Sequence, residues 1–315
     1  LIVAVEKVWR ALTKSGTAPA IVAWLLAMLP VSCAVWLVYS SSVNAVGNDY
    51  ATLVPRMGRM IEPGYDWAKL ARDSSMSSHC LLIPMLLHLT NVYLFKWNIP
   101  LELYTGLLLC FLRVVLLDKM IGGKGQTFGG RSPLSALVLV VLFALSFGAG
   151  NVSVFLYNLT AIAYGVTFLS FIAGLYSLYV FGNTKKGLSL MALAGFATSF
   201  SNGGSAMFSW IAYGLFIASQ AKKHRIIGIV TCIVCLVATM GSITYLIHAG
   251  GIEKGTLKAH LPDLRMYLHC FALPFLSKTI APLAYTTTGV IIGAVGWIMA
   301  AVLVVLIAKD RLFTP

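Results

Sequence analysis

Chemistry in this chain is to be sought between Val43 and Cys80, VNAVGNDYATLVPRMGRMIEPGYDWAKLARDSSMSSHC, which holds four of the ten carboxylates: Asp49, Glu62, Asp66 and Asp73. Asn48-Asp49-Tyr50 stands straight after an apolar helix, where the mouth of a membrane-embedded site would be. A carboxylate at the edge of a low-dielectric layer is suited to accept a proton near neutral pH; a solvated loop aspartate is not, and both readings of Asp49 stay open. Asp66 and Asp73, seven residues apart, would share one face of a helix over GYDWAKLARD with Lys69 between them. Ordinary charge pairs on a solvated face explain that spacing better than a carboxylate dyad. A second polar stretch near the end, with Arg265 among Lys258, His260 and His269, has the cations that fork phosphate oxygens or bind lipid head groups. No GxSxG, HExxH or phosphate-binding glycine loop is present.

The elements that must carry these residues are helices in a membrane. Hydrophobic residues make up 59% of the 315 and charged residues 10%, against roughly 25% charge in a soluble domain. At about 20 apolar residues per crossing, the chain reads as one membrane domain over 1–315, an all-α polytopic bundle. The net charge of +13 does not point to nucleic acid, because the basic residues form short clusters between apolar runs, as the positive-inside rule requires. Cys232 and Cys235 form a CxxC inside an apolar helix and read as small buried hydrophobes rather than a metal or redox pair. No cofactor is called for, and a divalent metal requirement is left open.

Lys7, Arg10 and Lys14 place the N-terminus in the cytoplasm and precede a full-length span, so no cleavable signal peptide is expected. Span one, about 21–43, then delivers Asp49 to the outer face. The segment 79–95 contains Pro84 and His88 and decides the topology. If it crosses, every later basic cluster falls on the wrong side. If it lies in or dips into the outer interface, thirteen of the 23 basic residues sit in short inner loops. The remaining spans are then about 100–117, 132–148, 154–181, 188–200, 206–218, 226–247 and 290–307, about eight crossings in all. This leaves a first outer loop over 44–98, a glycine turn at Ser201-Asn202-Gly203-Gly204, and a late outer loop over 248–289, all on one face. His88, among leucines, reads as a packed histidine with one local hydrogen bond.

An aspartate at the outer end of span one, a long first outer loop with interfacial helices, and a second outer loop after seven spans resemble the GT-C glycosyltransferases. The likeness is closest to bacterial GT-C-like membrane proteins whose first loop reads Asp-Asp or Asp-Phe, then Leu-Ala-Asp-Leu, then Asn-Glu-His-Arg and an apolar Phe-Pro-Arg-Leu-Leu run. The corresponding stretches are Asn48-Asp49-Tyr50, then Asp66-Trp67-Ala68-Lys69-Leu70, then Ser77-Ser78-His79-Cys80 followed by Leu82-Ile83-Pro84-Met85-Leu86-Leu87. FATSFSNGGSAMFSW (196–210) and LPDLRMYLHCFALPF (261–275) also look alike.

This resemblance implies sugar transfer from a polyprenyl-phosphate donor at the non-cytoplasmic face of a membrane, in bacteria the cytoplasmic membrane. Asp49 would be the base that deprotonates the acceptor. Arg265 and His79 would hold phosphate, with His79 alternatively a polar cap. Tyr50 would stack on sugar or anchor at the interface, and Asn202 would bond a sugar hydroxyl or satisfy its turn. The group's Asn-Glu and Arg around the histidine are Ser77, Ser78 and Cys80 here. That departure favours a rival reading, a non-catalytic subunit of a larger membrane complex. A transporter is a further rival, with Arg113 its main intramembrane charge.

Overall fold

The computed structural model describes residues 18–42, 50–76, 79–122, 133–147, 158–202, 206–219 and 225–249. In order these form α1 (Ala18–Ser41), α2 (Tyr50–Ile61), a 3-10 turn (Trp67–Lys69), α3 (Leu70–Asp73), β1 (Ser75–Met76), β2 (His79–Cys80), α4 (Leu82–Phe95), α5 (Ile99–Gly122), α6 (Pro133–Phe147), α7 (Asn158–Phe181), α8 (Lys185–Ser199), α9 (Ala206–Ser219) and α10 (Arg225–Ala249). Apart from the two-residue antiparallel ladder of β1 and β2, the described secondary structure is helical. The chain divides into two compact units, one of residues 1–34, 121–153 and 256–315, the other of residues 35–120 and 154–255.

Four helices are long and apolar enough to cross a membrane, at Ile21–Ser41, Ile99–Ile121, Ala161–Phe181 and Arg225–Leu246. They coincide with expected spans. The helices at three further expected spans, α6, α8 and α9, have 15, 15 and 14 residues. For α8, which is capped at both ends by Thr184 and Phe200, that is roughly 22 Å at 1.5 Å per residue, short of the ~30 Å hydrocarbon layer; for α6 and α9 the lengths are those of the described residues. The expected last span, 290–307, lies outside the described residues.

Which side chains face outward identifies the solvent these helices suit. On α9, Phe208 and Leu215 are 68% and 67% exposed while Ser209 is buried; on α10, Val230, Val234 and Val237 are exposed while Thr239 is fully buried. Apolar groups outside and polar groups inside is the arrangement of a protein surrounded by lipid. The buried hydroxyls bond their own helix: Thr167 to Ala163 O, Ser199 to Gly195 O and Thr239 to Cys235 O, at 2.7, 2.8 and 2.7 Å.

In the unit of residues 1–34 and 121–153, the described packing is aromatic: Trp24 meets Phe143 edge-on at 5.6 Å, and Phe143 stacks on Phe147. In the other unit, α7, α8, α9 and α10 share a core of Leu178, Leu188, Met191, Trp210, Tyr213, Ile217 and Cys232. Bulky rings fit because small residues face them: Trp210 lies against Gly195, and Tyr213 against Gly174.

Glycines also bring α5 onto α7. A Cβ on Gly106 would stand 2.6 Å from Ala161 Cβ, and one on Gly165 would stand 3.0 Å from Leu109; one turn further, the Arg113 guanidinium lies over the Phe168 ring. Contacts advance along both helices together, so α5 and α7 run the same way along this seam. Their starts therefore lie at one end of the unit.

Replacing Gly106 by Ala is expected to lower stability by about 1–3 kcal/mol through overpacking. Gly58, in mid-α2 with nothing within 4 Å of where an alanine methyl would stand, is the control: Gly58→Ala should be neutral or stabilising by about 0.5–1 kcal/mol. Thermal unfolding of the full chain in one detergent compares the two.

Candidate site at the capped end of the bundle

The described residues between Tyr50 and Cys80 form a layer over one end of the larger unit. Its amphipathic element is α2, YATLVPRMGRMI, rather than the expected helix over GYDWAKLARD. Met57 and Met60 on its apolar side pack with Leu70, Leu81, Met85 and Leu89, and with Leu159 and Ala163 at the start of α7. That apolar side is consumed by protein, so α2 is docked on the bundle and not sunk in lipid by that face. The GYDWAKLARD stretch breaks into the 3-10 turn and α3 because Asp66 stays extended and accepts from Ala68 N, capping the turn. Its pairing with Lys69 at 3.4 Å is an exposed one. Asp73 turns elsewhere, accepting from Tyr65 Oη at 2.9 Å and Arg72 Nε at 3.2 Å. Arg56 reaches across from α2 to the Ser75 carbonyl at 2.6 Å, which ties α2 to the ladder.

The ladder lands on the ends of two helices. Cys80 is fully buried with Ile243, beside Leu82, Phe200 and Leu246, and Ile83 N donates to Phe200 O at 3.1 Å. Burial pushes the Cys80 thiol up, which makes it a packing group rather than a nucleophile. The end so capped contains the start of α7, the end of α8 and the end of α10. The start of α5 is there too, through its seam with α7. Both ends of α4 are held at this level, one by Phe200 and the other by α5, so α4 lies across the end of the bundle.

The turn from α4 to α5 is built on a polar knot. Lys96 and Trp97 take left-handed φ of 53° and 58°. The Asn91 side-chain amide brackets the turn, donating to Asn98 O at 2.9 Å and accepting from Asn98 N at 3.2 Å. Asn91 Nδ2 also donates to Glu102 Oε1 at 2.7 Å, and His88 Nδ1 meets the same oxygen at 2.9 Å. His88, Asn91 and Glu102 are 0%, 5% and 3% exposed. Meanwhile Leu86, Leu87 and Leu94 on the same helix face outward. His88 therefore bonds a carboxylate fourteen residues away, a longer-range partner than the local hydrogen bond expected from the sequence. A histidine oriented by a carboxylate is an arrangement able to hold or pass a proton. Glu102 was missed by sequence reasoning, although a carboxylate inside an apolar run is itself the signal.

Of the residues singled out from sequence, Asp49 and Arg265 lie outside the described residues. Tyr50 is the first residue of α2 and His79 pairs with Met76 in the ladder. Asn202 follows α8, its N–H donating to Thr198 O at 3.2 Å. The chain around Tyr50, His79 and Asn202 is thus brought to the same end of the bundle, across more than a hundred residues of sequence. Among the described residues no group of three or more His, Cys, Asp or Glu could hold a metal ion. Comparison with family models, with curated proteins and with solved structures finds no match to the chain.

Two measurements probe this end. Glu102→Leu should destabilise the protein by about 2–4 kcal/mol, because the donors of His88 and Asn91 lose their shared acceptor, whereas Glu102→Gln, which keeps an oxygen there, should cost about 1 kcal/mol. Equal melting of the two variants would count against the knot. Burial first, and then the hydrogen bond to Asp73, push the Tyr65 phenol from 10.0 up to about 12. A raised folded value favours the folded state below pH 10 and loses that contribution as pH rises from 10 to about 12. The difference in phenolate absorbance between the parent protein and Tyr65→Phe should accordingly titrate near 12.

Proposed function

We propose that the chain is a membrane glycosyltransferase of the GT-C kind, which moves a sugar from a polyprenyl-phosphate donor to an acceptor at the non-cytoplasmic face. The observation that carries this reading is the layer of α2, α3 and the ladder seated over one end of the helices, which gathers the surroundings of Tyr50, His79 and Asn202. In the proposed reaction Asp49 takes the proton of the acceptor hydroxyl as that oxygen bonds to the sugar's anomeric carbon. The bond from that carbon to the phosphate oxygen breaks, and the polyprenyl phosphate leaves with the electron pair. Arg265 and His79 hold the phosphate as its charge grows; Tyr50 and Asn202 position the sugar. The site would lie on the outer side of a bacterial cytoplasmic membrane, with the N-terminus inside.

One observation favours a second reading. Cys80 stands where the resembling group has arginine, and its side chain is 0% exposed in an apolar contact with Ile243. A guanidinium has no place there. In this reading the chain retains the fold and serves as a non-catalytic subunit beside other membrane proteins.

The full chain in lipid nanodiscs distinguishes them. For the transferase, a long-chain polyprenyl monophosphate raises the melting temperature, Arg265→Ala abolishes the shift, and Asp49→Asn keeps the shift while lowering transfer by about 10²–10⁴-fold. Full transfer by Asp49→Asn removes the base assignment, and absence of any polyprenyl-phosphate effect leaves the subunit reading.

A further inference from the structure

Within the described helices of membrane length, Arg113 is the cation far from a helix end. It belongs to the span Ile99–Ile121, whose middle residue is Cys110. A snorkelling arginine extends toward the nearer end of its helix, here Ile121, about 12 Å further on. Arg113 does the reverse. Its Nη2 donates to Cys110 Sγ at 3.2 Å, which draws the guanidinium back to the level of the span's centre. There it lies 5.4 Å from the centroid of the Phe168 ring on α7.

These contacts orient the charge without neutralising it, since a thiol is a weak acceptor and a ring face offers only partial negative charge. The described helices of membrane length contain two carboxylates, Glu102 and Asp118, both on α5 itself. Glu102 is about 16 Å away along the axis and accepts from His88 and Asn91. Asp118 is five residues on, about 140° around the helix, and among the described residues no ion pair joins it to Arg113. Arg113 is half-buried, and its flanks are open: Leu108 and Leu112 on α5, Tyr164 and Phe168 on α7 are all exposed.

We propose that this ridge of α5 and α7 is a docking surface for a membrane helix of a partner protein that presents an acidic side chain near the middle of its own span. Charge and depth together select that occupant. A lipid phosphate sits about 15 Å from the middle of the hydrocarbon layer, too far for a guanidinium held back at Cys110. A second copy of this chain offers, on its described spans, carboxylates near the two ends of α5 and none at the centre. A carboxylate carried by another helix meets Arg113 at its own depth and forms a forked, charge-assisted pair where water does not compete. The inference rests on the membrane placement of α5 and α7 and is independent of the transferase reading.

The test uses the full chain in vesicles of neutral phosphatidylcholine with a labelled synthetic peptide, a polyleucine membrane helix bearing one central Glu or, as control, Gln. Energy transfer should show the Glu peptide bound roughly fivefold to thirtyfold more tightly than the Gln peptide. Arg113→Met should erase that preference, and Arg113→Lys should retain part of it, both with unchanged helicity. Equal binding of the two peptides overturns the proposal, as does a Glu preference that survives in Arg113→Met. So does an Arg113-dependent stabilisation by phosphatidylglycerol vesicles, which would assign the guanidinium to lipid phosphate, or Arg113-dependent energy transfer between two labelled copies of the chain.

Discussion

A polar group surrounded by hydrocarbon must find its partner inside the protein, and the rest of this structure follows from that constraint. Glu102 opens an apolar helix and is nearly inaccessible, so it needs donors; His88 and Asn91 provide them from α4. The same Asn91 amide then holds Asn98 and with it a turn containing two residues of left-handed φ. One buried carboxylate thus fixes where α4 ends and where α5 begins. The hydroxyls of Thr167, Ser199 and Thr239 obey the same constraint more simply, by bonding back to carbonyls of their own helices.

The second level of organisation is close approach. Rings and charges can be placed between helices only where the backbones come near, and glycine makes that possible at Gly106 and Gly165, and in the notches for Tyr213 and Trp210. The seam between α5 and α7 does two things at once. It sets the direction of α5, and hence the level of α4, and it presents Phe168 to Arg113. A layer of short elements can then close the end of the unit, with Met57 and Met60 filling the gap between α2 and the start of α7. Methionine suits such an irregular gap because its unbranched chain adapts to it.

Two places stand out where that order leaves polar groups near apolar surroundings. At the capped end, loops that are remote in sequence come together, as a site for a lipid-linked substrate would require. Along the α5 and α7 ridge, the Arg113 guanidinium is held near the middle of its apolar helix by a thiol and a ring. The burial of Cys80 bears on the first place, since it shows that the ladder is part of the core and not simply a ligand-holding loop.

Hydropathy alone determined the helical membrane class and the positions of α1, α5, α7 and α10, because a run of about 20 apolar residues is a local property that needs no partner to be recognised. It also marked the polar stretch from Val43 to Cys80, though not its shape: α2 and α3 follow from where Met57, Met60 and Leu70 find apolar neighbours, and from Asp66 capping a turn. The pairing of His88 with Glu102, the placement of α4 across the bundle and the seating of Arg113 over the Phe168 ring were decided by tertiary structure. Each depends on which helix lies alongside, and side-chain pairing between helices leaves no period in the sequence from which it can be read.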